Sequence, residues 1–153
     1  MSEDALQEYK DKRRFEETPE PAAKTVEGEG RVFVIQKHAA SRLHWDFRLE
    51  RGGVLKSWAV PKEPSMDRTV RRLAVQVEDH PVDYATFEGT IPEGQYGGGT
   101  VEIWDNGEYD TEYWGDDKIV IALHGARLDG RFALVHTDGK NWLLMKAKET
   151  PTP

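Results

Sequence analysis

The sequence predicts an all-β, mainly antiparallel fold closed into a small β-barrel, preceded by a flexible or partly helical N-terminal arm. Three observations carry this. Short segments that alternate apolar and polar residues recur from Arg31 onward, at the period of two expected of half-buried strands. Turn-forming clusters of Gly, Asp and Asn separate them, and little helical periodicity competes. The chain has 153 residues, enough for one domain with its own core and too few for two comfortable ones.

The elements follow in order. Residues 4–17 are polar helix formers with Leu6, Tyr9 and Arg13 on one side, which predicts a short helix. Thr18 to Gly30 carries prolines and glycines without periodicity and reads as flexible. Residues 1–30 are therefore assigned to the arm, 31–148 to the barrel and 149–153 to a tail. Val32 to Ile35 is a short apolar strand. From Leu43 to Glu50 the alternation is complete, with Leu43, Trp45, Phe47 and Leu49 on one face and His44, Asp46, Arg48 and Glu50 on the other. Arg51-Gly52-Gly53 makes a hairpin turn into the strand Val54 to Val60. Arg72 to His80 alternates again, placing Leu73, Val75 and Val77 inward and Arg72, Gln76, Glu78 and His80 outward. Thr100 to Trp104, Lys118 to Leu123, Arg131 to His136 and Asn141 to Lys146 complete about eight strands. Turns are expected at Asp105-Asn106-Gly107, Leu128-Asp129-Gly130 and Thr137-Asp138-Gly139. The glycine-rich run 93–100 lacks the Lys and the following helix of a phosphate loop. It reads as a tight turn or bulge, with Tyr96 packing or lining a groove. The five tryptophans are expected in the core.

Composition narrows the function. With no cysteine, disulfides and thiolate metal sites are excluded, so a metal must be held by His, Asp, Glu or backbone oxygen. No apolar run has the length of a membrane-spanning helix and the N-terminus is no signal peptide, so a cytoplasmic protein without a membrane partner is expected. The acidic second half gives no reason for an obligate oligomer, and a monomer is expected. The net charge of −7 argues against a nucleic-acid partner, but it is unevenly distributed: residues 31–72 carry a balance of +6 between flanks of −4 and −9. A local positive field can surround a site within an acidic protein.

Parity identifies that site. His44, Asp46 and Arg48 stand at successive i, i+2 positions, roughly 7 Å apart along one strand face. The imidazole and carboxylate suit Zn²⁺ or Mn²⁺, His38 at the end of the preceding strand can supply a third donor, and Arg48 can grip a phosphate oxygen. The row of Arg72, Glu78 and His80 uses the same vocabulary: Arg72 for phosphate, Glu78 to orient a ligand, His80 for proton transfer or charge stabilisation. Together these are the parts of phosphoryl hydrolysis. The alternative is a solvated outer face such as any antiparallel sheet shows. His124 and His136 lie outside both rows and read as structural or surface residues.

The run Gln36 to Glu50 (QKHAASRLHWDFRLE) resembles the signature of the 3′-phosphoesterase domain of bacterial DNA ligase D. LKSWAVPK at 55–62, VEDHPVDYATFEGTIPEGQYGGG at 77–99 and VEIWDNG at 101–107 do so as well. The resemblance spans residues 31–146 and implies a small barrel with its active site in a groove on the outer surface. It implies Mn²⁺-dependent removal of a terminal ribonucleoside from a primer 3′ end, leaving a 3′-phosphate that is then hydrolysed to 3′-OH. The same donors accept Zn²⁺ or Co²⁺. By resemblance, His38, His44 and Asp46 match the metal ligands. Arg48 and His80 match the groups on the scissile phosphate, assisted by Tyr84. Gln36, Lys62, Arg72 and Glu78 match further positions around the groove, and Arg13 and Glu20 match positions in the arm. Arg14 stands where the family carries Asp, so monoester hydrolysis is expected to be favoured over diester cleavage. The expected partners are nucleic-acid 3′ ends and, the length being spent on the barrel, a separate DNA ligase, polymerase or Ku-like end-joining protein acting in trans. A non-catalytic end-binding module and a small-molecule phosphatase on the same scaffold are the competing readings.

Overall fold

A computed structural model describes residues 6–23 and 30–149. It contains one short helix, α1 (Gln7–Asp11), and nine strands: β1 (Val32–Ala39), β2 (Leu43–Arg51), β3 (Val54–Val60), β4 (Arg71–Pro81), β5 (Gly89–Ile91), β6 (Gly99–Trp114), β7 (Lys118–Gly125), β8 (Asp129–Asp138) and β9 (Asn141–Lys146). All pairings are antiparallel. Eight strands close a barrel in the order β1-β2-β3-β4-β9-β8-β7-β6, and β6 returns to β1, while β5 adds to the start of β6. The expected closed antiparallel barrel is therefore the fold. Closure leaves the eight barrel strands without a free edge. Among the described residues no helix is long and apolar enough to cross a membrane.

Side-chain alternation fills the interior. Phe33 and Ile35 of β1, Trp45, Phe47 and Leu49 of β2, Trp58, Phe132 and Trp142 pack in one buried cluster. The hairpin between β2 and β3 turns on Gly52 and Gly53, both at positive φ, the conformation a two-residue turn between twisted strands requires.

Three expectations need correction. Asp105-Asn106-Gly107 is not a turn, because β6 runs through it for 16 residues. The Asp and Gly answer to a neighbour instead. The Asp105 carboxylate accepts backbone N–H bonds from Ala126, Arg127 and Leu128, ordering the β7–β8 turn, and a Cβ on Gly107 would collide with the His124 carbonyl. In β4 the parity is the reverse of that expected: Ala74 joins the interior cluster and Leu73 is 44% exposed. A bulge follows, since Leu55 pairs with His80 but Ser57 with Val77. Opposite Lys56, two residues stand where one would, so Glu78 and His80 share the outer face with Val77. Finally, residues 18–23 of the arm are docked. Leu6 and Tyr9 are buried in a second cluster with Val34, Leu55, Tyr84 and Ile91, and Tyr9 donates to the Pro21 carbonyl at 2.5 Å. A five-residue helix has little stability alone, and tertiary packing holds it. The expectations for residues 4–5, for 24–29 and for the tail beyond 149 lie outside the described residues.

Candidate active site

The second cluster covers the outer wall of β1 and β3, and beside it opens a cleft of about 280 Å³. Outward positions of adjacent strands supply its floor. Gln36 pairs with Asp46 and His38 with His44 across β1 and β2, and Glu78 and His80 come from the bulged part of β4. Arg13 and Glu20 of the arm, Tyr84 of the 3₁₀ turn Val82–Thr86, and Tyr96 and Gly97 of the glycine-rich turn complete the lining.

At one end lie His38, His44 and Asp46, with donor atoms within 4.8 Å of one another. Each imidazole is oriented by a backbone carbonyl. His38 Nε2 bonds the Gly97 carbonyl at 2.7 Å, and His44 Nδ1 bonds that of Arg42 at 3.0 Å. A ring nitrogen bonded to a carbonyl must carry the proton. In the neutral rings, His38 Nδ1 and His44 Nε2 therefore turn lone pairs toward Asp46 Oδ2, at 3.4 and 3.2 Å. Three electron-pair donors converging on one point require a cation or an added proton between them. Two N donors and one O donor, with carbonyls behind the imidazoles, fit a divalent metal. Without a metal the proton takes its place. Burial disfavours charge on His44, but the hydrogen bond and charge of Asp46 outweigh it and raise the imidazole above its ordinary value. Burial likewise opposes ionisation of Asp46, but Arg48 and the two histidines hold its carboxyl well below the usual range.

Beside the triad lies Arg48, only 3% exposed. Its Nε donates to Gln36 Oε1 at 2.7 Å, Nη2 is 3.4 Å from Asp46, and the guanidinium lies over the Tyr84 ring. Nη1 is buried without a partner. An unsatisfied buried guanidinium donor costs free energy, and a phosphate oxygen is the partner its geometry suits. Gln36 has no access to substrate; its amide donates to the Tyr84 and Phe87 carbonyls, so it locks Arg48 to the 3₁₀ turn. His80 Nδ1 donates to the Glu78 carbonyl at 3.0 Å, and Nε2 faces Arg13 at 3.4 Å. Burial, followed by Arg48 and Arg13, pushes the His80 imidazole well below its ordinary value, so at neutral pH it is uncharged and Nε2 carries a lone pair.

The arm closes the other side. Arg13 bridges Glu20 at 3.0 Å and Glu78 at 3.3 Å, and Lys12 joins Glu78 and the Tyr96 hydroxyl. Tyr84 donates to Glu20 at 2.6 Å, and burial raises its phenol, which stays protonated. Lys12 and the Gly97 carbonyl were not legible in the sequence: Lys12 is one of several charges on a polar helix, and a carbonyl has no sequence signature.

Two expected residues lie elsewhere. Lys62 is exposed just beyond β3, and Arg72, at inner parity, lines a separate depression at the barrel rim and donates to the Glu63 carbonyl. The reversed parity of β4 removes Arg72 from the cleft. His124 pairs with Asp110 and His136 bonds the Gly139 carbonyl, both on the surface as expected. Gly94 and Gly97 have positive φ, and the glycine-rich run is the tight turn expected.

A family model described as the DNA ligase D 3′-phosphoesterase domain matches residues 36–136. The chain is 52% identical over 151 residues to the multifunctional non-homologous end joining protein LigD of Mycobacterium bovis, a match covering 95% of this chain and 20% of that protein. It is 51% identical over 156 residues to LigD of Pseudomonas aeruginosa, covering 94% and 19%. The chain spans about one fifth of the length of these relatives.

Proposed function

The chain belongs to the DNA ligase D 3′-phosphoesterase domain family, and from that premise we propose that it is a divalent-metal-dependent hydrolase that restores 3′-OH ends during non-homologous end joining. The observation that carries this reading is the adjacency, in one cleft, of a His₂Asp donor set and the unpartnered Nη1 of Arg48. A metal and a phosphate oxygen need these two features side by side.

His38, His44 and Asp46 would hold the ion, Mn²⁺ by resemblance and Zn²⁺ or Co²⁺ by donor chemistry. When bound, it supplies Lewis-acid charge to the phosphoryl group. Arg48 binds a phosphoryl oxygen through Nη1 and, held by Gln36 and Asp46, offsets the charge that develops there. His80, neutral and fixed through Nδ1, turns Nε2 to the cleft to accept a proton from the attacking water and then pass it to the departing oxygen. Glu20 and Glu78 hold Arg13 over His80 and keep that cation beside the incoming phosphate.

The monoester step is the dominant activity in this reading. Arg14, where the resemblance expects an acid, is largely exposed and, among the described residues, pairs with Glu17 at 4.0 Å, so the cleft lacks the carboxylate expected at that position.

The test compares a primer–template ending in a 3′-phosphate with a free nucleoside 3′-phosphate, each with metal-stripped protein plus or minus Mn²⁺. Metal-dependent release of phosphate, faster on the primer–template, supports an end-healing enzyme, for which a ligase, polymerase or Ku-like protein is the proposed partner. Equal rates favour a small-molecule phosphatase. Tight binding without hydrolysis in any divalent metal indicates a non-catalytic end-binding module.

A further inference from the structure

Arg72, which lies outside the cleft, has company. The depression at the barrel rim is lined by Glu63, Pro64, Met66, Arg72, Trp104 and Arg127. Two guanidinium groups meet there, and each is held by its Nε. Arg72 donates to the Glu63 carbonyl at 2.7 Å, and Arg127 to the Trp104 carbonyl at 2.8 Å. Arg127 also stacks on the Trp104 indole, 4.7 Å from the ring centroid. These contacts orient the planar groups while leaving both terminal Nη nitrogens of each for another partner. Among the described residues Arg72 and Arg127 form no ion pair, as is also true of Arg42, Arg51, Arg68 and Arg71, but only Arg72 and Arg127 of these have the Nε fixed on a backbone carbonyl. Two pre-oriented forks over one depression, against the single acidic residue Glu63 in its lining, are arranged for an anion with several oxygens.

The position relative to the cleft is set by the topology. The β1–β2 turn next to His38 and His44, the start of β4 with Arg72, and the β7–β8 turn with Arg127 all lie at one end of the barrel, because neighbouring strands are antiparallel. Asp46 pairs with Ala59 and Ala59 with Val75, three residues from Arg72 along β4. Two inter-strand steps and three residues of rise separate the Arg72 and Asp46 backbones by roughly 14 Å along the barrel wall. A duplex advances about 3.4 Å per base pair, so that span corresponds to roughly four pairs.

Resting on the 3′-end reading of the cleft, we infer that Arg72, Arg127 and Trp104 form a second phosphate site that takes a backbone phosphodiester of the duplex a few base pairs from the 3′ end. Such a contact positions the duplex and carries no sequence preference. It gives Arg72 a role at a distance from the scissile phosphate.

The experiment measures equilibrium binding by fluorescence anisotropy in EDTA, so that no turnover is involved. A labelled primer–template with a 3′-phosphate is compared with a 3′-phosphorylated dinucleotide too short to reach the rim. Arg127→Ala should weaken the primer–template about tenfold and lower the salt slope by about one, without the same loss on the dinucleotide. Arg127→Lys, which keeps charge but loses the fork, should fall between. A neutral methylphosphonate moved along the duplex should weaken the wild type at one position and Arg127→Ala at none. Equal losses on both ligands, or an unchanged salt slope in a variant with wild-type melting temperature, overturn the second site. If the wild-type protein with Mn²⁺ leaves the 3′-phosphate intact, the phosphoesterase reading fails while these binding comparisons still decide the rim.

Discussion

His38 and Gly97 are joined by a 2.7 Å hydrogen bond from the imidazole Nε2 to the glycine carbonyl, and this bond turns Nδ1 toward Asp46. Gly97 has a φ of +77, and a Cβ there would stand 3.4 Å from His38 Cε1. Gly97→Ala therefore strains the turn and moves the carbonyl that orients a metal ligand. Removing such support lowers metal affinity by about 10–100-fold. Isothermal titration with Mn²⁺ checks this; unchanged affinity would mean that Gly97 serves only the turn.

Gln36 should matter through Arg48. Its side chain is fully buried and makes three hydrogen bonds, to Arg48 Nε and to the Tyr84 and Phe87 carbonyls. Gln36→Leu leaves a buried guanidinium donor and two carbonyls without this partner, at a cost of about 2–4 kcal/mol. Urea denaturation should show that loss. The turnover of a 3′-phosphate substrate should fall as well, because Arg48 is no longer held in plane beside Asp46.

The arm is anchored mainly by Tyr9, which is buried against His80 and Tyr84 with centroids 5.1 and 6.1 Å away. Tyr9→Ala should free residues 6–23 to local unfolding at a cost of about 3 kcal/mol or more. Limited proteolysis reads this as faster cleavage within residues 10–14, with barrel fragments unaffected. Equal cleavage rates in the wild type and variant would show that the Arg13 bridges to Glu20 and Glu78 hold the arm unaided.

Stability should depend on pH through His80. Burial, then Arg48 and Arg13, depresses its folded value, so the unfolded chain binds a proton that the native protein refuses. Stability therefore falls as pH drops below about 6.5, the ordinary value for histidine. Asp46 adds a loss in the same direction at lower pH, starting below about 3.9, because its folded value is depressed. His44, whose folded value is raised in the metal-free protein, acts oppositely: its contribution is present below about 6.5 and lost as pH rises through the folded value. Urea midpoints of metal-free protein measured from about pH 2 to 8 test the scheme, and His80→Asn should flatten the limb between about pH 6.5 and 4, above the Asp46 loss. A limb unchanged in that variant would place the titration elsewhere.

Alternation alone made the barrel and the face carrying His44, Asp46 and Arg48 legible, because β2 keeps unbroken register with both neighbours. Where a strand bulges, the same logic failed. The extra residue at Glu78-Asp79 reversed the assignment of Leu73 and Arg72, and a bulge between β1 and β6 let a strand pass through a motif that reads as a turn. The short helix of the arm was legible, but the docking of residues 18–23 was not, because prolines and polar residues suggest freedom, whereas Leu6 and Tyr9 bury against an apolar outer wall. Neither the carbonyls orienting His38 and His44 nor the unpartnered nitrogen of Arg48 could be inferred before the chain was folded.

The most direct test is conversion of a 5′-labelled primer–template 3′-phosphate to 3′-OH by metal-stripped protein, with and without Mn²⁺, beside Asp46→Asn and His80→Ala. The predicted result is conversion that requires the metal and is lost in both variants, with Mn²⁺ binding lost in Asp46→Asn and retained in His80→Ala. Conversion that persists in Asp46→Asn, or that proceeds equally without metal, would contradict the assignment of the cleft.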